Sequence, residues 1–461
     1  MRIQTGSPID PALFGFTQTE FCRPISGIST DSREVRPGDL FVALPGERSD
    51  GAVHLPEAFD RGAALILSHR EENDPRVLFV PDPLAALTCA AAAYSAKIPH
   101  RTVAITGSYG KTTLRHNLTS ILGAACPVAC TEGNGNTDLA LALTLLSMPR
   151  NTRILAAELG MRGRGEISRL SRLVKPDVAA ITGIGSAHIG LLGSKEAICR
   201  AKCEIVDGMD RDGALIYPAS DPYLARAVDA LPVSSVTVST DPAFPAAYAL
   251  ALDEIKDGKA TVSLFSPGGE IRGVTLPGCD RAILSCAVFC FAVSEKLGID
   301  RALTRAGLEN LSLPPLRRQT ETIGGATVIL DCYNASPEPT EAALISLLRV
   351  RSSGKRIFLV LGDMLELGAS ARELHRMIGR RAAELSPKRL YCVGPLAREY
   401  GVGAMEKGFP EAKIREYFPD QIASIAGELA EELSPGDVLF VKGSRALKLE
   451  TIVPYLKEAV R

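Results

Sequence analysis

The chain has 461 residues, with 52 Lys plus Arg against 53 Asp plus Glu, so its formal charge of −1 gives no electrostatic case for a nucleic acid or an anionic membrane as partner. No apolar run approaches the ~18 residues of a membrane span, and residues 1–16 lack a signal peptide's basic-then-apolar layout. Eleven cysteines without C-x-x-C pairs or zinc-like spacing read as buried reduced thiols of a cytoplasmic enzyme, and the length allows two to four domains.

In chain order, residues 1–99 mix strand-like runs at 40–44, 64–67 and 77–80 with turn signals such as Arg36-Pro37-Gly38-Asp39. An Ala-rich helix is predicted over 84–96, and Lys97-Ile98-Pro99-His100 reads as a linker. From 100 to 312, apolar strands alternate with longer helical patterns, which predicts a parallel α/β sheet. Within that part, residues 260–274 alternate on both sides of Pro267-Gly268-Gly269 and read as a β-hairpin insert. Leu313-Pro314-Pro315 opens the last part, 313–461, where runs at 327–330, 357–361, 390–393 and 438–441 alternate with helices. The fold class is therefore α/β with three domains: a small N-terminal α/β domain, a central P-loop ATPase domain with a parallel sheet, and a C-terminal Rossmann-like domain.

The most informative stretch is Ile105-Thr106-Gly107-Ser108-Tyr109-Gly110-Lys111-Thr112-Thr113, between a strand-like run and a plausible helix. Gly107 and Gly110 let the backbone curl until several N–H groups of the loop, which runs through Ser108 and Tyr109 to Thr113, point inward at a polyphosphate. Lys111 adds a point charge for the β- and γ-phosphates, and the Thr112 hydroxyl can hold Mg²⁺. The full G-x-x-x-x-G-K-[ST] pattern needs Gly at 105, where this chain has Ile, so the match is to the shorter T-G-x-x-G-K-T-T form. ATP is the expected nucleotide.

Ligands of open parallel sheets lie beyond the carboxyl ends of the strands. A strand at 154–157 ends at Glu158, and one at 178–181 leads through Thr182-Gly183-Ile184-Gly185 to His188. Both could stand beside the phosphates as Mg²⁺ ligands; the carboxylate suits that ion better than the imidazole. Equally, Glu158 could be a solvated strand end and His188 a polar loop filler. Residues 194–206 read as a helix capped by Ser194, with Lys202 on the apolar stripe of Ile198 and Ile205. A lysine there either snorkels to solvent or is buried as a carbamate formed with CO₂. Carbamylation needs the neutral amine, about one molecule in 2,500 at pH 7 for an unperturbed lysine, a fraction that burial and a nearby cation raise. In the last domain, Asp331 closes a strand where an acid can bind ribose hydroxyls, and Tyr333-Asn334-Ala335-Ser336-Pro337 leads into a helix. Arg317 and Arg318 could close over the phosphates, or be ordinary solvated linker residues.

Together these segments resemble the Mur ligases of peptidoglycan synthesis over nearly the whole chain. The resemblance begins with Asp31-Ser32-Arg33, the string from Pro37 through Leu44 and Asp50-Gly51. It continues through residues 106–113, Gly133-Asn134-Gly135-Asn136, Glu158-Leu159-Gly160, Gly165-Glu166-Ile167, Ile184-Gly185-Ser186-Ala187-His188 and Ala201-Lys202-Cys203-Glu204-Ile205. In the last part it rests on residues 333–337, Gly362-Asp363-Met364-Leu365-Glu366-Leu367-Gly368, Leu374-His375 and Val441-Lys442-Gly443-Ser444-Arg445. The strings at 362–368 and 441–445 point to the members that add a terminal dipeptide, and the D-N-P-R signature of the diaminopimelate-adding members is absent.

The resemblance implies an ATP-dependent amide ligase that joins D-Ala-D-Ala to UDP-MurNAc-tripeptide through an acyl phosphate, acting as a monomer in the cytoplasm. It implies two Mg²⁺ ions held by Thr112, Glu158, His188 and a carbamylated Lys202. Asn136 would reach the adenine, and Arg318, Asp331 and Asn334 would contact phosphate and ribose. Ser32 and Arg33 would handle the UDP-sugar. Departures from the family pattern cluster near the base: Asp280, Arg281 and Leu284 stand where a His-Asn pair and a later Asn are usual. Gly183 replaces a common Asn, Arg317 stands at a Gly before the usual Arg, and the loop's Thr-Asn is Ser108-Tyr109. The competing expectations are a folylpolyglutamate-type or amino-acid-adding ligase of the same fold, and a nucleotide-binding relative without turnover.

Overall fold

The computed structural model describes residues 1–16, 23–46, 49–133 and 135–459; Asn134 of the Gly133–Asn136 string lies outside the described residues. Three sheets of five, nine and six strands follow one another along the chain. In the first, Arg2–Ile9 runs antiparallel to Ile25–Ser29, and Asp39–Ala43, Leu65–Ser68 and Val77–Phe79 continue in parallel. The last has Ala326–Asp331, Val438–Lys442, Ile357–Gly362, Arg389–Val393 and Ile414–Tyr417 in parallel order, with Gln319–Ile323 antiparallel at one edge. The central strands of that sheet, such as the wholly buried Ile357–Gly362, are continuous apolar runs because helices cover both faces.

The nine-stranded sheet carries the site. Its first strand in the chain, Arg101–Thr106, sits between Ile154–Glu158 and Val178–Ile181: the crossover from it runs to Val128–Cys130 on one side, and the one from Ile154–Glu158 runs back past it to the other. That is a topological switch point, where neighbouring loops diverge and leave a crevice. The hairpin forms as Lys259–Ser266 with Gly269–Leu276, and Tyr248–Lys256 joins it to make a three-stranded antiparallel extension. The helix around Lys202 is Lys195–Cys203, followed by a 3-10 turn at Glu204–Val206; Ser194 caps it by accepting the Ala197 N–H at 3.2 Å. Among the strands the sequence did not mark, Arg2–Ile9, Gln319–Ile323 and Ile414–Tyr417 lie at sheet edges and are largely polar, so alternation is weak.

The first and central sheets are bonded by packing. One continuous core runs from Ile9 and Leu87 to Leu145, Leu159 and Leu215. Helix Pro83–Ser95 lies against helix Asp138–Leu146, and the buried Tyr94 hydroxyl donates to the Met148 carbonyl at 2.9 Å. Gly6 touches the Met148 backbone so closely that a Cβ would land on its carbonyl. Gly6→Val should therefore loosen this junction at a cost on the order of 1–3 kcal/mol. The expected readout is an earlier first transition in calorimetry and faster proteolysis at residues 97–100.

Candidate active site

Adjacent strands bring the candidate groups to one level. Ile105 pairs with Glu158 on one side and Ala180 on the other, so the phosphate loop, Glu158 and the turn after Ile181 share the carboxyl end of the sheet. Gly107 has φ +148, and a Cβ there would run into the Thr182 hydroxyl, while Gly110 has φ +79. Ser108 N–H donates to Gly183 O at 2.9 Å, and the Thr182 hydroxyl donates to Tyr109 O, which fixes the loop to the neighbouring turn. Helix Lys111–Gly123 then starts with no side-chain cap. Its first N–H groups and positive dipole end thus face the crevice free to receive an anion.

Lys111 Nζ donates to Gly107 O at 2.8 Å, curling back over the loop. Burial lowers its pKa, with Glu158 opposing and Arg317 adding to the shift. Lys202 is only 2% exposed and makes no hydrogen bond among the described residues. Burial holds its ammonium well below the usual lysine value; the Lys111 charge adds to this and Glu158 opposes it. The bland reading of Lys202 as a snorkelling side chain is thereby excluded. His188 is also lowered by burial, opposed by Glu366, and feels the charges of Lys202 and Lys111. Glu158, His188, Lys202 and Lys111 thus form one electrostatic cluster.

Mg²⁺ fits these residues on one direct observation. Glu158 Oε2 is buried without a hydrogen-bond partner among the described residues, and Arg115 Nε stands 3.6 Å from it, too far to satisfy it. An orphaned carboxylate oxygen in such a place is the donor a hard cation requires. No group of three or more His, Cys, Asp or Glu residues is gathered for a metal among the described residues. Arg115 was missed in the sequence, although its i+4 spacing from Lys111 places it on the same helix face.

The C-terminal domain supplies the opposite wall of a cavity of about 510 Å³, lined by residues 108–113, Arg317, Arg318, Asp331, Asn334 and Lys442 among others. Lys442 Nζ is buried, donating to Asp331 Oδ2 at 2.7 Å and Asn334 O at 3.2 Å. The arginine that meets the phosphate loop is Arg317, whose Nη2 donates to the Thr112 hydroxyl at 3.0 Å while its guanidinium lies 4.5 Å from the Tyr333 ring centroid. Leu316 before it has φ +59, a left-handed conformation that Gly adopts more readily. Arg318 pairs with Asp280 at 3.4 Å and donates to Ser346 at 3.0 Å, and also lines the cavity. Asn136, Glu158, His188 and Lys202 are not among the residues lining this cavity; the Asn136 amide donates to Glu158 Oε1 at 3.5 Å.

Two sequence departures prove to be one change. A Cβ at Gly183 would lie 2.5 Å from the Tyr109 hydroxyl, so the tyrosine ring fills the space of the Asn that is usual at 183. Burial pushes the Tyr109 phenol up to about 12, keeping it protonated. Asp280 caps helix Arg281–Lys296 by accepting the Ala282 and Ile283 N–H groups. Ser32 and Arg33 lie outside the cavity: the Ser32 hydroxyl donates to Glu57 Oε2 at 2.6 Å, and the exposed Arg33 pairs with Asp31. Gly107→Ala should keep the fold but lower ADP affinity by at least ~10-fold in calorimetric titration, because both the φ and the Thr182 contact forbid a Cβ.

Residues 24–103 match the Mur ligase family, catalytic domain, residues 105–290 the Mur ligase middle domain, and residues 317–445 the Mur ligase, glutamate ligase domain. The chain is 34% identical over 440 residues to the UDP-N-acetylmuramoyl-tripeptide--D-alanyl-D-alanine ligase of Bacillus subtilis (strain 168), covering 94% of each. Its structure resembles MurF from Acinetobacter baumannii with a TM-score of 0.86 at 28% identity, covering 99% of this chain and 100% of that one. It also resembles the MurF ligase from Thermotoga maritima in complex with ADP, with a TM-score of 0.84 at 27% identity, covering 94% and 97%. With the phosphate loop, the strand-end carboxylate and all three domains matched in order, the chain belongs to the Mur ligase family.

Proposed function

We propose that this chain is the ATP-dependent ligase that joins D-Ala-D-Ala to UDP-MurNAc-tripeptide in peptidoglycan precursor synthesis, releasing ADP and phosphate. The observation that carries this reading is the convergence of uncapped helix amides, Lys111 and the orphaned Glu158 oxygen beneath a cavity walled by a second domain. The γ-phosphoryl of ATP passes to the terminal carboxylate of the tripeptide, giving an acyl phosphate. The dipeptide amine then attacks that carbonyl, and loss of phosphate leaves the amide.

The chain's own groups manage the charge of these steps. Loop amides and Lys111 bind the transferring phosphate, and Arg317 adds a guanidinium from the other domain. Asp331, held by Lys442, faces the cavity where a ribose would lie. Mg²⁺ ions held by Thr112, Glu158, His188 and Lys202 would, when bound, offset the repulsion between phosphate and carboxylate. For Lys202 we favour the carbamate: its burial and the neighbouring Lys111 charge disfavour the ammonium and so raise the share of neutral amine that can take up CO₂, and the product is an anionic oxygen donor. We assign residues 1–99 with Ser32 and Arg33 to the UDP-sugar, residues 100–312 to ATP, and residues 313–461 to closing the site against water, which would hydrolyse the acyl phosphate. We place the reaction in the cytoplasm, where ATP is available; no helix among the described residues is long and apolar enough to cross a membrane.

The test is ADP release measured with each substrate omitted in turn. Release that requires both UDP-MurNAc-tripeptide and D-Ala-D-Ala is expected; nucleotide binding without turnover would favour a non-catalytic relative, and turnover with glutamate an amino-acid-adding one. Lys202→Ala should lower kcat at least ~100-fold, with partial rescue by added short-chain carboxylic acids. Full activity of that variant without such acids would contradict the carbamate.

A further inference from the structure

The string Gly362-Asp363-Met364-Leu365-Glu366-Leu367-Gly368 has no part in the reaction as described so far. It follows strand Ile357–Gly362 and is braced inside its own domain. Asp363 accepts the Leu396 and Ala397 N–H groups at 3.0 and 2.6 Å, Met364 N–H donates to His375 Nε2 at 3.0 Å, and Leu365 N–H donates to Ser444 Oγ at 3.0 Å. Glu366 projects from this platform with φ +64 onto the turn that carries His188 in the central domain. Its carbonyl accepts the Gly190 N–H at 3.1 Å, its Oε2 lies 2.6 Å from His188 Nδ1, and its Oε1 lies 3.4 Å from Arg162 Nη2. Gly190 and Gly368 touch backbone to backbone: a Cβ on Gly368 would lie 2.6 Å from the Gly190 Cα.

A second carboxylate grips the same segment. Glu338, at the start of helix Pro337–Ser352, accepts the Ser186 N–H at 3.0 Å, the Ser186 hydroxyl at 2.8 Å and the Lys195 ammonium at 2.8 Å. The C-terminal domain therefore holds the His188 segment from both sides.

We propose that Glu366 is a positioning residue for His188: its carboxylate takes the Nδ1–H, fixing the tautomer in which Nε2 keeps its lone pair, so that the imidazole becomes a competent metal ligand only when the C-terminal domain is seated. Carboxylate partners of this kind orient metal-binding histidines and raise their basicity. The 2.6 Å approach puts the carboxylate within reach of Nδ1, although the two are not aligned as a hydrogen bond in this arrangement. The inference rests on the metal role proposed above for His188.

The experiment compares the full chain with Glu366→Ala and Glu366→Gln, each checked for an unchanged thermal midpoint. Mn²⁺ affinity of the ADP-bound protein is read by electron paramagnetic resonance, and the His188 tautomer by ¹⁵N shifts of the six histidines. Glu366→Ala is expected to weaken Mn²⁺ binding ~10- to 100-fold and to lose the Nδ1–H tautomer. kcat should fall in step while the KM for ATP stays within about twofold, and Glu366→Gln, which retains an acceptor oxygen, should recover part of each. Normal Mn²⁺ binding and tautomer in Glu366→Ala, even with reduced kcat, would overturn the proposal and leave Glu366 as a docking contact. Failure of the unaltered protein to bind Mn²⁺ with ADP would overturn the metal role of the site itself.

Discussion

One constraint governs the site: the buried Glu158 carboxylate is the negative charge that Lys111, Lys202 and Arg317 all feel, and Arg115 stands 3.6 Å from it. Charge removed from water is tolerated only when paired, and this set of cations outnumbers its buried carboxylate. The protein relieves this by burying Lys202, which disfavours its ammonium form, and by curling Lys111 onto a backbone carbonyl. What remains is an electropositive pocket at an uncapped helix end, which a polyphosphate would neutralise. Anion binding is thus the resolution of an imbalance built into the core.

The architecture serves that imbalance in two ways. The switch point of the nine-stranded sheet sets three strand ends side by side, so that groups distant in sequence act within a few ångströms. The six-stranded domain then brings cations and acceptors to the open side: Arg317 to Thr112, Lys442 to Asp331, and Glu338 and Glu366 to the turn between strand Val178–Ile181 and helix Lys195–Cys203. A site divided between two domains can be complete when they meet and open when they part, which suits a reaction whose intermediate must be kept from water.

How much of this could be read from the residues alone follows the range of the interactions involved. The phosphate loop, the strands ending at Glu158 and Ile181, and the Ser194 cap are local and were legible from glycines, apolar runs and capping chemistry. The burial of Lys202 was ambiguous, because a lysine on an apolar stripe looks alike whether it is covered or reaches solvent. Long-range contacts left no sequence trace: Glu366 against His188, Glu338 on Ser186, and Tyr109 filling the space over Gly183. Choosing between Arg317 and Arg318 depended on the contact of Arg317 with Thr112, which joins two domains. Polar edge strands escaped for the opposite reason, having too little apolar alternation to be seen.

The most direct measurement is anomalous diffraction from Mn²⁺ in crystals grown with a non-hydrolysable ATP analogue. The account predicts a triphosphate lying on the amides of residues 107–113, one manganese peak touching Thr112 and Glu158, and a second touching His188 and an elongated, carbamylated Lys202. A triphosphate bound away from this loop, or manganese held by phosphate and water alone while Glu158 and Lys202 remain uncoordinated, would contradict it.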